Sequence, residues 1–251
     1  MIILSAALLR ENLPRAPQTV IDAFVARQHV LAAAGICDTA VRLAFLFANI
    51  DHECAGCSIT KLTENINYTP ARMAQVWPNR FANAHAVTAR YGSDAGWQRR
   101  AFDDIYGGRM GNRAGTRDGS SFIGRGGPQI TGRDGYMQIG ARIGVDLVGS
   151  PEQASAHQWQ PDIAAAFWAW KNLARFADAG DFTGCVRAWN GGLNGLADRQ
   201  KLLLKWQAAF AVADHIAPTA TPVPTPAATP TTSFFKQVIA AIAAAFLGRA
   251  Q

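Results

Sequence analysis

Apolar residues recur at helical spacing through most of the first 215 positions of this chain. Segments 20–34 and 41–53 both show this spacing, and the second is apolar on most of its circumference. Asp38 or Thr39 can cap the second of these helices at its N-terminus. Another helix is expected to begin at Pro70, because proline is favoured in a first helical turn. The pattern therefore predicts a mainly α fold.

The pattern changes between residues 106 and 135, where glycine is dense and helical periodicity disappears. We expect loop and short hairpin there, and glycine-rich loops of this kind often line functional sites. Helical spacing returns in segments 161–177, 182–189 and 196–213, with a turn at 190–192. Residues 1–215 are thus predicted to form one domain.

The C-terminal part of the chain has a different composition. Residues 216–233 are rich in Pro, Thr and Ala, which is typical of a semi-rigid extended linker. Residues 234–251 predict a short amphipathic helix, shorter than the ~20 residues that a membrane-spanning helix needs. Two interpretations stay open: contact with a membrane surface through residues 234–250, or packing on this domain or a partner chain.

Composition limits the classes of function. The 251 residues are 49% hydrophobic and 17% charged, which is the balance of a compact globular protein. A net charge of +6 favours anionic partners such as membranes or bacterial envelopes, although a basic protein without such a partner is an open alternative. No Lys/Arg-rich run with interleaved aromatics indicates nucleic-acid binding. The apolar segment 1–9 lacks a basic n-region, so we expect synthesis in the cytoplasm without a signal peptide and action on the cell wall after release.

The four cysteines do not form a recognisable metal or disulfide pattern. Cys54 and Cys57 make a single C-x-x-C, without the second pair of a zinc site or the βαβ context of a redox motif. We interpret them, with Cys37 and Cys185, mostly as small buried hydrophobic residues. The sequence predicts no metal and no cofactor.

Two glutamates near the end of the apolar helix are the candidate catalytic groups. His52-Glu53 can open the zinc motif H-E-x-x-H, but Gly56 stands where the second histidine is required. Glycosidic cleavage by inversion instead needs two carboxyls ~6.5–9.5 Å apart, one as acid and one as base. On one continuous helix Glu53 and Glu64 would be ~16 Å apart, so the chain must leave the helix near Gly56 and Ser58. A buried helix end would raise the pKa of an acid there. The alternative is that both are ordinary surface glutamates.

Five further blocks of the sequence stand in a recognisable order. They are Phe45-Leu-Phe-Ala-Asn-Ile-Asp-His52-Glu53, Leu62-Thr-Glu64-Asn65-Ile-Asn67-Tyr68, Tyr106-Gly-Gly-Arg-Met-Gly-Asn112, Gly124-Arg125-Gly126-Gly-Pro-Gln129-Ile-Thr131-Gly132-Arg133 and Asn190-Gly-Gly-Leu-Asn-Gly-Leu-Ala-Asp198-Arg199. In these blocks the chain resembles glycoside hydrolase family 19, which holds plant-type chitinases and many phage lysis enzymes. The resemblance covers residues 5–210. It implies a mainly α, lysozyme-like, two-lobed helical fold with a small β element at the cleft.

The resemblance also implies roles for individual residues. Glu53 matches the family's general acid and Glu64 its general base, in a single displacement that inverts the anomeric carbon. Thr131 matches the hydroxyl that helps the base to hold water, and Arg199 matches an arginine that pairs with the catalytic carboxylates and would keep the base ionised. The positions that match substrate-binding residues are Gln129, Asn190, Tyr68, Tyr106 and Asn112.

Some positions depart from the family pattern. Cys54-Ala-Gly-Cys57 stands in place of the usual Ser-Gly-Gly-Phe after the acid. Gly135 replaces a common asparagine and thereby removes one candidate hydrogen bond to a sugar, and Trp189 replaces an aliphatic residue. None of these changes removes a catalytic group.

The implied substrate is an N-acetylglucosamine-containing polysaccharide, either peptidoglycan or chitin, and we favour peptidoglycan acted on by a monomer. The alternative from another class is an inactive carbohydrate-binding or lysis-accessory protein on the same fold. A lytic transglycosylase cleaves the same bond without water and would not need Glu64.

Overall fold

The computed structural model describes residues 1–58 and 60–210, which are mainly α-helical. The predicted linker at 216–233 and the predicted helix at 234–251 lie outside the described residues. Three short 3₁₀ turns, Ile36–Asp38, Pro151–Ser155 and His157–Trp159, accompany the α-helices. The α-helices are α1 (Ala6–Asn12), α2 (Gln18–Ala26), α3 (Gln28–Ala33), α4 (Ala40–Cys54), α5 (Pro70–Val76), α6 (Ala84–Tyr91), α7 (Trp97–Tyr106), α8 (Asp118–Ser121), α9 (Arg133–Ile143), α10 (Gln160–Trp170), α11 (Ala174–Asp178), α12 (Phe182–Asn190) and α13 (Leu196–Ala209). Within these residues no helix has the length and apolar character needed to cross a membrane.

Helix α4 is the centre of the fold. Its N-terminus is capped by the Thr39 side chain, which accepts a hydrogen bond from the Arg42 N–H. Almost every residue from Leu43 to Cys54 is buried, as expected for a helix that is apolar on most of its circumference. Helix α13 packs along it, and the rings of Phe47 and Trp206 stack with centroids 4.7 Å apart. The helix predicted at 41–53 is confirmed.

Two predicted helical segments are each divided in the structure. Segment 20–34 becomes α2 and α3, which meet at Arg27. The Arg27 guanidinium donates to the Asp162 carboxylate of α10 at 2.7 Å, so a tertiary ion pair lies at the break. Segment 161–177 becomes α10 and α11, which are separated by a turn with Asn172 at φ +50°. Apolar spacing is nearly continuous across both breaks and therefore does not reveal them.

The buried hydrophobic residues form two separate clusters, which define two lobes. The large lobe contains the buried faces of α1–α4 and α9–α13. The small lobe is built from residues 68–106 with Ile123 and is rich in aromatic rings. Its members are Tyr68, Met73, Ala74, Val76, Trp77, Phe81, Val87, Tyr91, Trp97, Ala101, Phe102, Ile105, Tyr106 and Ile123. This arrangement confirms the expected two-lobed helical fold.

The chain crosses between the lobes twice, and the crossings meet. Leu62 and Phe122 belong to the large lobe, whereas Tyr68 and Ile123 belong to the small one. Thr63 of the first crossing segment pairs with Arg125 of the second through an isolated antiparallel bridge, and Arg125 pairs with Ile130 within the second segment. The expected β element is thus reduced to bridges of single residues, with no longer strand in the part of the chain that the structure describes. These crossings place residue 64 at the boundary between the lobes.

Candidate active site

Glu53 lies in the last turn of α4 and is buried in the large lobe, with only 3% of the residue exposed. The helix ends directly after it, because Ala55 adopts a left-handed conformation with φ +49°. The break that the sequence predicted after Glu53 is therefore present. A charged side chain at this depth requires a partner of opposite charge.

Arg199 is that partner. It stands in the first turn of α13, is fully buried, and its Nη2 donates to Glu53 Oε1 in a buried ion pair. Its Nη1 donates to Asn49 Oδ1 at 2.7 Å, and its Nε donates to the Asn194 carbonyl oxygen at 3.4 Å. Asn49 precedes Glu53 by one helical turn, so both lie on the same face of α4. The guanidinium is thus held by three acceptors and fixes the position of the Glu53 carboxyl.

His52 lies beside this ion pair. Burial and the positive charge of Arg199 lower the pKa of His52 to about 3, so its ring is neutral at neutral pH. A Cβ at Gly195 would collide with the His52 imidazole, which explains the glycine at the start of α13. The close approach brings the end of α4 and the beginning of α13 together, as the Glu53 ion pair requires.

Glu64 has different surroundings. It lies on the crossing segment, where its own N–H donates to the Gly124 carbonyl oxygen at 2.8 Å. Its Oε2 accepts a hydrogen bond from the Gly124 N–H at 3.0 Å. Burial raises the pKa of Glu64, whereas the Gly124 N–H and the positive charge of Arg125 lower it, and the net pKa lies above the usual value for glutamate. The carboxyl therefore holds its proton more tightly than a free glutamate.

Gln129 and Thr131 lie in the loop that holds Glu64. Gln129 has φ +55°, and its Nε2 donates to the carbonyl oxygens of Lys61 and Gly126 at 3.0 and 2.9 Å. The Thr131 hydroxyl donates to the Gln129 carbonyl oxygen at 3.0 Å. The amide of Gln129 therefore ties the two crossing segments together.

Gly124 explains how tightly this loop is packed. A Cβ at Gly124 would lie 2.8 Å from Gln129 Oε1 and 3.4 Å from Glu64 Oε2, so only glycine fits without a shift. Three residues further along the loop, a Cβ on Gly127 would lie 3.3 Å from Ile50 of α4. The loop at 124–131 thus contacts both the Glu64 carboxylate and the helix that carries Glu53.

Tyr68 and Tyr106 belong to the aromatic cluster of the small lobe. Both rings pack against Trp77 and Phe102, with centroids 5.6–6.2 Å apart. The pKa of each hydroxyl is raised, first by burial and then by the negative charge of Glu64. The Tyr68 hydroxyl is buried and has no hydrogen-bond partner among the described residues. The small lobe therefore presents two tyrosines towards Glu64.

The side chains of Asn112 and Asn190 both form hydrogen bonds with the backbone of neighbouring turns. Asn112 is buried, its Nδ2 donates to the Tyr106 carbonyl oxygen at 3.2 Å, and its Oδ1 accepts from the Arg133 N–H at 2.8 Å. Asn190 is half-buried at the end of α12, and its Oδ1 accepts from the Gly192 N–H at 2.8 Å. Asn112 holds the loop after Tyr106, and Asn190 begins the turn that leads to α13.

Sequence reasoning missed three residues of the site: Asn49, Gly124 and Arg125. Asn49 stands one turn before Glu53 in an otherwise apolar stretch, and this is the kind of signal that marks a buried polar partner. Gly124 and Arg125 lie within the glycine-rich block, but the hydrogen bond of Gly124 to Glu64 and the effect of the Arg125 charge on it arise only from tertiary pairing. The structure also places Arg199 on Glu53, whereas the positive charge that acts on Glu64 is Arg125.

The chain is similar to proteins of known family. A Haemophilus influenzae protein described as a glycosyl hydrolase family 19 domain-containing protein is 30% identical over 172 residues, which cover 66% of this chain and 78% of that protein. Chitinase C from Streptomyces griseus has a similar fold, with a TM-score of 0.52 and 16% identity over 82% of this chain and 92% of that one. A chitinase C mutant gives a TM-score of 0.50 at the same identity, with 83% and 92% covered. No protein-family model matches the chain. The sequence similarity, together with the shared two-lobed helical fold, places this chain in glycoside hydrolase family 19.

Proposed function

We propose that this glycosidase hydrolyses β-1,4 bonds in an N-acetylglucosamine-containing cell-wall polysaccharide, with Glu53 as general acid and Glu64 as general base. The observation that carries the proposal is the unlike setting of two carboxyls that the loop at 124–131 connects, since this loop contacts both Glu64 and the helix that carries Glu53. Glu53 is held by the Arg199 cation, whereas Glu64 is desolvated and held by a backbone N–H. Pairs of carboxyls whose surroundings differ in this way are typical of acid–base catalysis.

The raised pKa of Glu64 suits a base. A carboxylate that binds a proton more tightly is a better acceptor for the proton of an attacking water. That water forms the new bond to the anomeric carbon while the bond to the leaving oxygen breaks and the configuration inverts. The Thr131 hydroxyl, which donates to the Gln129 carbonyl oxygen, can accept a hydrogen bond from the same water.

Glu53 supplies the proton to the leaving oxygen, and for this step its carboxyl must be protonated when substrate binds, with Oε1 still accepting from Arg199 Nη2. Once it has given up the proton, the carboxylate lies against Arg199, which stabilises that charge in a largely buried site. Asn49 accepts from the same guanidinium and prevents it from turning away. The Tyr68 and Tyr106 rings and the turn at Asn190 are proposed to bind the sugar residues on either side of the scissile bond.

Among the family's polymers we favour peptidoglycan, because two cations beside Tyr68 and Tyr106 lack an internal counter-ion. The Arg72 guanidinium lies 5.8 Å from the centroid of the Tyr68 ring, and the Arg109 charge acts on the Tyr106 hydroxyl. In the part of the chain covered by the structure, neither arginine forms an ion pair. Peptidoglycan carries lactyl-linked peptides with free carboxylates, whereas chitin is uncharged, so these arginines favour the anionic polymer.

The remaining parts of the proposal concern the setting in which the enzyme acts. We propose a monomer that is made in the cytoplasm and acts on the cell wall after release. Residues 234–250 would contact an anionic membrane surface through the apolar face of the predicted helix. These features agree with a lysis enzyme of the endolysin type.

The test compares wild type and Glu53→Gln on purified peptidoglycan and on purified chitin, with the released fragments identified by mass spectrometry. Fragments from peptidoglycan that carry a reducing end, and that disappear with Glu53→Gln, are the expected result. Hydrolysis in ¹⁸O-labelled water should place the label on the new reducing end. Anhydro-ended fragments without label would identify a lytic transglycosylase instead, and no mutant-sensitive product from either polymer would identify a binding protein.

The preference for peptidoglycan is tested separately with Arg72→Gln. This change should lower kcat/KM on peptidoglycan while leaving turnover of chitin oligosaccharides unchanged. Arg99→Gln is the matched control, because Arg99 is an exposed arginine of α7 that takes part in no ion pair among the described residues. An equal effect of Arg72→Gln on both polymers would contradict the role of charge.

A further inference from the structure

The turn after Glu53 has an unusual backbone. Three consecutive residues, Ala55, Gly56 and Cys57, have φ values of +49°, +72° and +55°. Only glycine adopts this region without strain, and each of the other two residues costs about 1–2 kcal/mol there. The Gly56 N–H donates to the Asp51 carbonyl oxygen at 3.0 Å, and the Ser58 N–H donates to the Cys54 carbonyl oxygen at 3.0 Å. A turn of this kind persists only when other contacts hold it.

The two cysteines of the turn contact each other. Their Sγ atoms lie 3.4 Å apart, and the Cys57 N–H donates to Cys54 Sγ at 2.9 Å. Both residues are fully buried in the large lobe, and both are free thiols in this structure. The strained turn thus places the Cys54 and Cys57 thiols in contact. Cys37 and Cys185, the other two buried thiols, have no such contact with a cysteine in the described residues.

We propose that Cys54 and Cys57 are a covalent modification site, a dithiol that closes to a disulfide directly behind the catalytic acid. The reaction is an exchange with a small-molecule disulfide such as oxidised glutathione. One cysteine thiolate attacks the external disulfide and releases one thiol, and the second cysteine then displaces the other thiol from the mixed disulfide. Two protein thiols are oxidised, one external disulfide is reduced to two thiols, and no other reactant is needed.

This pair differs from the C-x-x-C of thiol oxidoreductases in its place on the helix. In those motifs the pKa of one thiol is low and thiol–disulfide exchange with other proteins is rapid, and helix N-termini are among the settings that lower this pKa. Here the pair stands at a helix C-terminus, and burial, Cys57 and then Glu53 raise the pKa of the Cys54 thiol. Such thiols exchange slowly, so a bond that has formed persists. The pair is therefore a structural clamp rather than a redox catalyst.

The clamp acts on the residue beside it. Cys54 follows Glu53 directly, so a bond from Cys54 to Cys57 fixes the backbone from which the Glu53 side chain extends. In the reduced protein that turn is held by hydrogen bonds and by packing in the core, without a covalent bond between the two cysteines. An enzyme made in a reducing compartment and active in an oxidising one would acquire the clamp on release. This consequence for catalysis rests on the proposed function, whereas the closure of the pair does not.

The test is a thiol map of the full chain. Reduced protein is refolded in a buffer of reduced and oxidised glutathione, unfolded, alkylated and digested with trypsin. Cleavage after Arg42 and Lys61 releases residues 43–61 as one peptide that contains both cysteines. We expect this peptide to be lighter by two hydrogen atoms and to carry no alkyl group, while Cys37 and Cys185 are alkylated. Alkylation of Cys54 and Cys57, or glutathione attached to either, would overturn the proposal.

Thermal unfolding shows whether the bond stabilises the turn. The oxidised wild type should melt about 2–4 °C above the reduced protein. Cys37→Ala, which removes an unpaired buried thiol, should keep this difference, and Cys57→Ala should lose it. A closed peptide without any difference in Tm would overturn the clamp. A closed and stabilised protein that hydrolyses no polymer would count against the proposed function and leave the disulfide in place.

Discussion

Glu53 and Glu64 are the same kind of side chain, eleven residues apart, and the two regions that hold them are built differently. Glu53 is fixed by an ion pair between two packed helices of the large lobe. Glu64 is fixed by backbone hydrogen bonds of the segments that cross between the lobes. Glu53 is buried and Glu64 is half-buried, and only Glu53 has a cation in direct contact.

The difference has a consequence for stability. Removing one partner of a buried ion pair leaves an uncompensated charge, so Glu53 is required for a stable large lobe. Glu64 has a raised pKa, which means that the unfolded chain ionises at a lower pH than the folded protein. Its burial therefore reduces stability as the pH rises from the unfolded pKa to the folded pKa. Glu53 in its ion pair therefore stabilises the folded protein, whereas burial of the Glu64 charge destabilises it.

The largest effect is expected for Glu53→Gln. Loss of the general acid should lower kcat by ~10²–10⁴-fold. The variant should also lose about 3 kcal/mol of stability, near the lower end for a broken buried pair, because the amide oxygen still accepts from Arg199. Activity assays and denaturant unfolding measure the two effects. Unchanged activity would remove Glu53 from the mechanism.

A double-mutant cycle measures the coupling energy between Glu53 and Arg199. Arg199→Met alone should destabilise the protein by about 3–5 kcal/mol, and Glu53→Gln combined with Arg199→Met should lose less than the sum of the single variants. Lys201→Ala is the control on the same helix, because Lys201 is 77% exposed and its pair with Asp198 should contribute at most about 1 kcal/mol. Additive effects of the single variants would show that the pair is not coupled.

Glu64→Gln should separate activity from stability. Loss of the base should again lower kcat by ~10²–10⁴-fold, while the amide oxygen can keep the hydrogen bond from the Gly124 N–H. Removal of a desolvated charge should leave Tm at neutral pH equal to or above that of the wild type, and the gain should vanish at acidic pH, where Glu64 is protonated in both states. A clear loss of stability at neutral pH would contradict the assigned environment.

The acidic limb of the pH–rate profile should report Glu64. The pKa of Glu64 is raised. As the pH is lowered, kcat/KM should therefore begin to fall at a pH above the ordinary pKa of a glutamate. Arg125→Gln removes a positive charge that lowers this pKa, so the limb should move to higher pH. Arg125→Lys keeps the charge and should leave the limb in place. A limb that Arg125→Gln does not move would assign it to another group.

Removal of residues 218–251, which lie beyond the last described helix, should have the smallest effect on catalysis by Glu53 and Glu64. Hydrolysis of soluble substrate and the pH profile should be unchanged. Action on intact Gram-negative cells should weaken if the predicted helix contacts a membrane. Equal killing of cells by the full and shortened chains would contradict a membrane role.

The sequence predicted the elements whose signals are local. The apolar stretch of α4 with its Thr39 cap, the start of α5 at Pro70 and the end of the helix after Glu53 all depend on a few adjacent residues. Breaks at Arg27 and Asn172 were not visible, because the apolar spacing continues through them. The residue roles came from the resemblance, because spacing alone left two ordinary surface glutamates as an alternative.

The sequence by itself determined that this chain folds as helices around one apolar segment and carries two glutamates eleven residues apart. Only the tertiary structure decided what each glutamate contacts. Arg199 is 146 residues from Glu53 along the chain, and Gly124 is 60 residues from Glu64. The physical reason is that burial and pairing set the chemistry of a carboxyl, and both are properties of packed segments that are distant in sequence.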